Sequence, residues 1–134
     1  MGDRRWLAQY DSDVPPSLEP YPDRTLLDYL RQLAADRPAA PALLFKGDTV
    51  TYARLDRESD ALARAFHEMG VRKGDRVGLV LPNCPQFFIA QFAIWKLGAI
   101  VAPLNPIYTE HELEGPLREQ DVKLLVTLTL LRRR

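Results

Sequence analysis

The apolar positions of this chain follow a helical period in its first half and strand-like runs in its second. Leu26, Tyr29, Leu30 and Leu33 form one stripe that ends before Pro38, and Thr25 with Asp28 three residues later resembles a capping box, so a first helix is predicted here. Residues 42–46, a Gly47-Asp48 turn and residues 49–51 read as a short hairpin. Thr51 then caps a second helix in which Leu55, Leu62, Phe66 and Met69 recur at helical spacing, with charges on the other face. Gly70 stands where a left-handed helix stop is needed.

From Val71 the pattern becomes strand, helix, strand, helix, strand. Lys73-Gly74-Asp75 turns into residues 77–81, a continuous apolar run typical of a strand covered on both faces. Pro82 to Pro85 breaks the run, a helix is predicted from about Gln86 to Leu97, and Gly98 stops it. Residues 100–103 form the next strand. Asn105-Pro106 turns, Thr109 with Glu112 makes a second capping box, and a helix to about Gln120 leads into a strand at residues 123–127. The strands centre on Leu79, Val101 and Leu125, 22 and 24 residues apart, which is the interval of βαβ units. The fold class is therefore α/β: a parallel-sheet βαβαβ unit preceded by an extended arm, a helix and a short hairpin. Phe88, Phe92 and Trp95 are expected to pack their helix against the sheet, and Trp95→Ala to cost about 3–5 kcal/mol if that side chain is fully buried.

Ahead of the first helix, Pro15, Pro16, Pro20 and Pro22 interrupt residues 14–23 so often that regular structure is not expected. Residues 1–24 read as an extended arm, and 25–134 as part of a single domain. Trp6, Tyr10, Leu18 and Tyr21 give the arm enough apolar surface to lie on its own domain or on a partner subunit.

Charge and composition narrow the function classes. Lys plus Arg and Asp plus Glu both number 18, and this balance disfavours a dedicated nucleic-acid binder, which needs excess cations to displace counterions from phosphates. An apolar content of 46% excludes disorder over the whole length. The single cysteine, Cys84, forms no internal disulfide and points to a reducing compartment, so a cytoplasmic address is expected. The amino end carries no apolar run of the secretory kind, and residues 87–97 are too short to span a bilayer, so no transmembrane segment is expected. Arg132, Arg133 and Arg134 leave peripheral contact with anionic lipid open, although a solubilising end or a truncation scar is the simpler reading.

Catalytic constellations are absent from the residues read one class at a time. Gly70, Gly74 and Gly78 fit neither a dinucleotide fingerprint nor a Walker loop. His67 and His111 stand 44 positions apart with no metal-ligand spacing around them. Cys84 sits at a helix start, where the dipole favours a thiolate, but no histidine is placed as its base, and a small buried apolar role is the plainer one. Ser12, Ser17 and Ser59 lack the glycines of a nucleophile elbow, and Glu110 with Glu114 reads as a solvated helix face. No catalytic, cofactor-binding or metal residue is assigned.

A resemblance says more. Val50-Thr51-Tyr52-Ala53-Arg54-Leu55, the Gly70 to Val77 stretch, Leu81-Pro82-Asn83-Cys84-Pro85-Gln86-Phe87 and the run Trp95 to Pro106 resemble, in order and spacing, the opening of the adenylate-forming ligases. Residues 105–113, with Val14-Pro15-Pro16-Ser17-Leu18 and Tyr21-Pro22 in the arm, look most like long-chain fatty-acid–CoA ligases. The resemblance implies an incomplete first part of that family's large amino-terminal domain. It also implies a two-step reaction. A fatty acid carboxylate attacks the α-phosphate of ATP with Mg²⁺, giving acyl-adenylate and pyrophosphate, and coenzyme A then displaces AMP to form the thioester.

ATP, Mg²⁺ and coenzyme A are thus the cofactors and co-substrates implied for a full-length member, and none is expected to bind this chain. The family's phosphate loop ending in Pro-Lys, its Mg²⁺ ligand and its lid lysine do not occur here; Lys46, Lys73, Lys96 and Lys123 stand in other contexts. The sequence reads as a truncated or partial ligase, inactive alone. The alternative is a non-catalytic α/β interaction module that pairs with or complements a ligase, and a homodimer is also open. In the family the first sheet continues into later sequence, so an unpaired strand edge and association through Leu124, Leu125, Val126, Leu128, Leu130 and Leu131 are expected.

Overall fold

The computed structural model describes residues 4–128. After a 3-10 turn at Arg5–Gln9, the elements are α1 (Leu26–Asp36), β1 (Pro41–Phe45), β2 (Asp48–Thr51), α2 (Tyr52–Glu68), β3 (Arg76–Val80), α3 (Pro85–Lys96), β4 (Ile100–Leu104), α4 (Glu110–Glu119) and β5 (Val122–Thr127). Both expected capping boxes form. Thr25 Oγ1 accepts from the Asp28 amide while the Asp28 carboxylate accepts from the Thr25 amide, and Thr109 with Glu112 repeats the pattern. Thr51 caps α2 by accepting from the Arg54 amide. Gly70 (φ 92°) ends α2 in the left-handed conformation that a side chain would strain.

The hairpin turns one residue earlier than the pattern suggested. Lys46 and Gly47 both have positive φ, 49° and 87°, and Phe45 pairs with Asp48, so Lys46-Gly47 are the central residues and Asp48 already belongs to β2. Two positive φ values give the twist that joins antiparallel strands most tightly.

β3 lies in the middle of a parallel sheet ordered β4-β3-β5. One face of β3 presents Val77 and Leu79 to α2 and α3 in a core with Ala63, Phe66, Val71, Ala90, Ala93 and Ile94. Its other face lies under α4, since a Cβ on Gly78 would meet Leu117 at 3.6 Å and Leu125 at 2.7 Å. Helices therefore cover both faces of the central strand, which is why it is apolar from Val77 to Val80.

Which side of α3 meets the sheet differs from expectation. Ala90, Ala93 and Ile94 face it, with Phe87 and Leu97 packed alongside, whereas Phe92 and Ile89 belong to a second core built on Leu30, Val50 and Leu55. Phe88 is 37% exposed and Trp95 is partly buried edge-on to Phe92, with ring centroids 5.5 Å apart. A helix wedged between a sheet and two other helices is apolar nearly all round, so its pattern does not tell which face goes where. Small Ala90 and Ala93 permit the close approach.

Three further side chains depart from the expected stripes. Leu26 and Met69 are 61% and 63% exposed, and Tyr29 lies outside the core beneath the Arg24 guanidinium. Leu125 is 41% exposed on the α4 side of the sheet, away from α3. Along the arm, Trp6, Leu18 and Tyr21 are more than half exposed, while Arg24 at its end donates to Gln32 of α1 at 2.6 Å. Leu130, Leu131 and Arg132 to Arg134, singled out above, lie outside the described residues.

Candidate functional site

The two crossovers run in opposite directions along the sheet, from β3 to β4 through α3 and then from β4 back past β3 to β5 through α4. Such a reversal opens a crevice at the carboxyl ends of the diverging strands, the usual ligand position in open α/β sheets. Here it lies between Val80 at the end of β3 and Thr127 at the end of β5 and is overhung by the loop that enters α4, forming a cleft of about 600 Å³. Pro106, Ile107, Leu113 and Leu125 make its walls largely apolar, with Tyr108, Thr109, Glu110, His111 and Thr127 as the polar groups. Asn105 Oδ1 accepts from the Ile107 amide and shapes the overhanging loop.

The amino ends of the same strands are closed by charge. Arg76 donates from Nε to the Gln120 carbonyl at 2.8 Å and from Nη2 to the carbonyl and carboxylate of Asp121. Lys123 Nζ donates to the Gly70 carbonyl and to Asp75 Oδ2, both at 2.7 Å, and the same oxygen accepts from the Arg72 amide at 2.6 Å. The Lys123 ammonium, then the Arg72 amide, hold the Asp75 carboxyl below its usual value. The Thr25 and Thr109 backbone amides, helped by their hydroxyls, do the same for Asp28 and Glu112.

These three carboxyls fix the sign of the acid response. A depressed folded value means that stability is fully present above the unfolded values, about 4, and is lost as pH falls through the folded ones. Unfolding by urea should therefore become easier on acidification below about pH 4. Asp75→Asn should lower stability at neutral pH and flatten that acid limb, because the variant has no proton to take up at this site. An unchanged acid slope in a pH series of urea midpoints would dissociate Asp75 from the effect.

Other residues considered from sequence have structural places. Ser59 is fully buried and donates to the Asp56 carbonyl at 2.9 Å, and Ser17 accepts from the Glu19 amide. Cys84 is buried at the N-cap of α3. His67 lies on α2, away from the cleft that His111 and Glu110 line. Lys96 Nζ, on a side chain only 7% exposed, donates to the Asp56 carbonyl, Asp56 Oδ1 and Asp60 Oδ1 at 2.9, 2.6 and 2.7 Å, so every ammonium proton is engaged. It clamps α3 to α2.

Among the described residues the donor set does not fit a metal nucleotide. No group of three His, Cys, Asp or Glu is placed to hold a metal among the described residues. Gly47, Gly70, Gly74 and Gly98 all sit at turns or helix ends rather than in one phosphate-gripping loop. Among the described residues, no helix is long and apolar enough to cross a membrane. Ile107 and Tyr108 enter the sequence reading only within the 105–113 resemblance and Thr127 only as a strand end; none is assigned to a site there, because the cleft follows from strand order rather than from any motif.

Comparison with known proteins agrees with this architecture. The long-chain-fatty-acid–CoA ligase of Bacillus subtilis (strain 168) is 42% identical over 126 residues, covering 94% of this chain and 22% of the relative. That of Escherichia coli O157:H7 is 35% identical over 125 residues, covering 92% and 22%. Among solved structures, O-succinylbenzoate coenzyme A synthetase from Bacillus subtilis matches with a TM-score of 0.72 at 30% identity, over 76% of this chain and 22% of that one. The N-terminal subdomain of Klebsiella oxytoca NpsA matches with a TM-score of 0.72 at 25% identity, over 78% and 27%. The chain thus spans about a fifth of the length of the curated relatives it matches. The family model for AMP-binding enzymes matches residues 30–134, well over half the sequence, and the chain belongs to the AMP-binding enzyme family, the adenylate-forming ligases.

Proposed function

We propose that this chain is the amino-terminal portion of an ATP-dependent fatty-acid–CoA ligase, with residues 1–24 as an arm and 25–134 as part of the AMP-binding domain. The observation that carries the reading is the 42% identity to a long-chain-fatty-acid–CoA ligase over 94% of the chain. In the whole enzyme the fatty acid carboxylate attacks the α-phosphate of ATP and releases pyrophosphate; the coenzyme A thiol then takes the acyl group and AMP leaves. This portion supplies scaffold to that chemistry. Its apolar core and charge-closed strand ends hold the sheet, and the cleft at the opposite ends forms one wall of the space where the remaining portion meets it. The single free cysteine, Cys84, favours a reducing, cytoplasmic address.

Two measurements test the reading together. A chimera in which this chain replaces the matched segment of the Bacillus subtilis ligase should form acyl-CoA from fatty acid, ATP and coenzyme A. The isolated chain should give fatty-acid-dependent ATP–pyrophosphate exchange no greater than a no-protein control, because no phosphate-gripping loop is present. Exchange by the isolated chain, or a soluble chimera that forms no acyl-CoA, would overturn it.

A further inference from the structure

We propose that residues 10–23 form a strap that closes over the groove between α1 and α2 of the same chain, with its carboxylates paired to Arg31, Arg57 and Arg64. The segment and the groove carry opposite charge, and neither is committed elsewhere. Between Tyr10 and Asp23 the acids are Asp11, Asp13, Glu19 and Asp23, and there is no lysine or arginine. None of these carboxylates has an ion pair among the described residues.

Two adjoining concavities of about 360 and 420 Å³ make up the groove, and Arg31 of α1 and Arg64 of α2 line both. Arg57 lines the second and stands two helical turns before Arg64, on the same face of α2. Neither Arg57 nor Arg64 makes a hydrogen bond or ion pair among the described residues, and Arg31 acts on Asp28 through space without a direct pair. The acids nearby are otherwise occupied. Lys96 holds Asp56 and Asp60, and Arg54 holds Glu58, so Glu68 is the one uncommitted carboxylate that lines the groove among the described residues. Three guanidiniums against one free carboxylate leave the groove short of negative charge.

Chain geometry allows the closure. Arg31 lies about 9 Å along the helix from Thr25, and the chain from Thr25 back to Glu19 spans up to about 20 Å. Arg24 already lies along α1, donating to Gln32 at 2.6 Å with its guanidinium over the Tyr29 ring. The strap gives up little to move, because Leu18 and Tyr21 are 76% and 67% exposed. Pro15, Pro16, Pro20 and Pro22 restrict its backbone in advance, so less freedom is lost on docking. A tethered segment is also present at an effective concentration of about millimolar, which favours its own groove over that of another copy. Exposed ion pairs contribute little one at a time and are screened by salt, so closure needs several together and opens as ionic strength rises.

The test is chymotrypsin cleavage after Tyr10 in the whole chain, followed by mass spectrometry and referred to a free peptide of the same arm sequence. Relative to that peptide, cleavage should be about threefold or more slower at low salt than at high salt. Arg31→Glu with Arg64→Glu should remove the low-salt protection, and adding Asp13→Lys with Glu19→Lys should restore at least about half of it. Native circular dichroism is required of each variant. Asp13→Lys with Glu19→Lys alone lies outside the core and should remove the protection even if the arginine pair proves needed for folding. Equal cleavage of arm and free peptide at low salt, charge reversals without effect, or protection that grows with protein concentration and so places the strap on a second copy, would overturn the proposal.

Discussion

Phe66→Ala should cost about 3–5 kcal/mol of unfolding free energy, whereas Trp95→Ala should cost about 1–2 kcal/mol, reversing the order that ring size suggests. Phe66 is only 3% exposed and packs from α2 into the core that also holds Val77, Leu79 and Ile94. Removing its ring leaves a cavity between a helix and a sheet, neither of which can close on the other without disturbing the other contacts in this core. Trp95 is partly buried, and its ring leans edge-on against Phe92 at the margin of the second core. Water can fill the space it leaves. Since domains are held by about 5–15 kcal/mol in total, Phe66→Ala should leave a marginal protein and Trp95→Ala a weakened but cooperative one. Urea unfolding followed by circular dichroism measures both; equal losses would mean that Trp95 bears on the sheet core after all.

The difference between those side chains marks where sequence reasoning stops. Thr25 with Asp28, Thr109 with Glu112, and Gly70 announced helix ends because each acts on backbone groups within a few residues of itself. The spacing of Leu79, Val101 and Leu125 predicted parallel strands, because a crossover helix has a minimum length. What those local signals do not encode is direction. Phe88, Phe92 and Trp95 lie on a helix with apolar residues nearly all round, and only the presence of α1 and α2 decides that Phe92 joins Leu30, Val50 and Leu55. Likewise the cleft exists because β5 returns past β3, an arrangement that strand spacing leaves open. The hairpin missed its register by one residue because a left-handed Lys46 carries no compositional mark, unlike the glycine beside it. Family resemblance located the chain without supplying any of these contacts.

Lys96→Met should destabilise the protein by about 2–4 kcal/mol, and adding Asp56→Asn with Asp60→Asn should recover most of that loss. Methionine nearly matches the length and volume of the lysine stem, so packing between α2 and α3 is kept while the charge is removed. The ammonium is nearly fully buried and bonded to both carboxylates and to the Asp56 carbonyl. Without it, Asp56 and Asp60 face each other one helical turn apart with no cation between them, and the Asp56 carbonyl loses a donor. Because Asp60 is half exposed and Asp56 about a quarter exposed, water relieves part of the repulsion, which keeps the expected loss below that of a fully buried pair. The double asparagine background removes the repulsion but not the carbonyl's need, so recovery should be incomplete by about 1 kcal/mol. In the chimeric ligase the same substitution should lower acyl-CoA yield only in proportion to folded protein, with KM for ATP unchanged. A changed KM at full folding would give Lys96 a role toward substrate that its three bonds to α2 do not support.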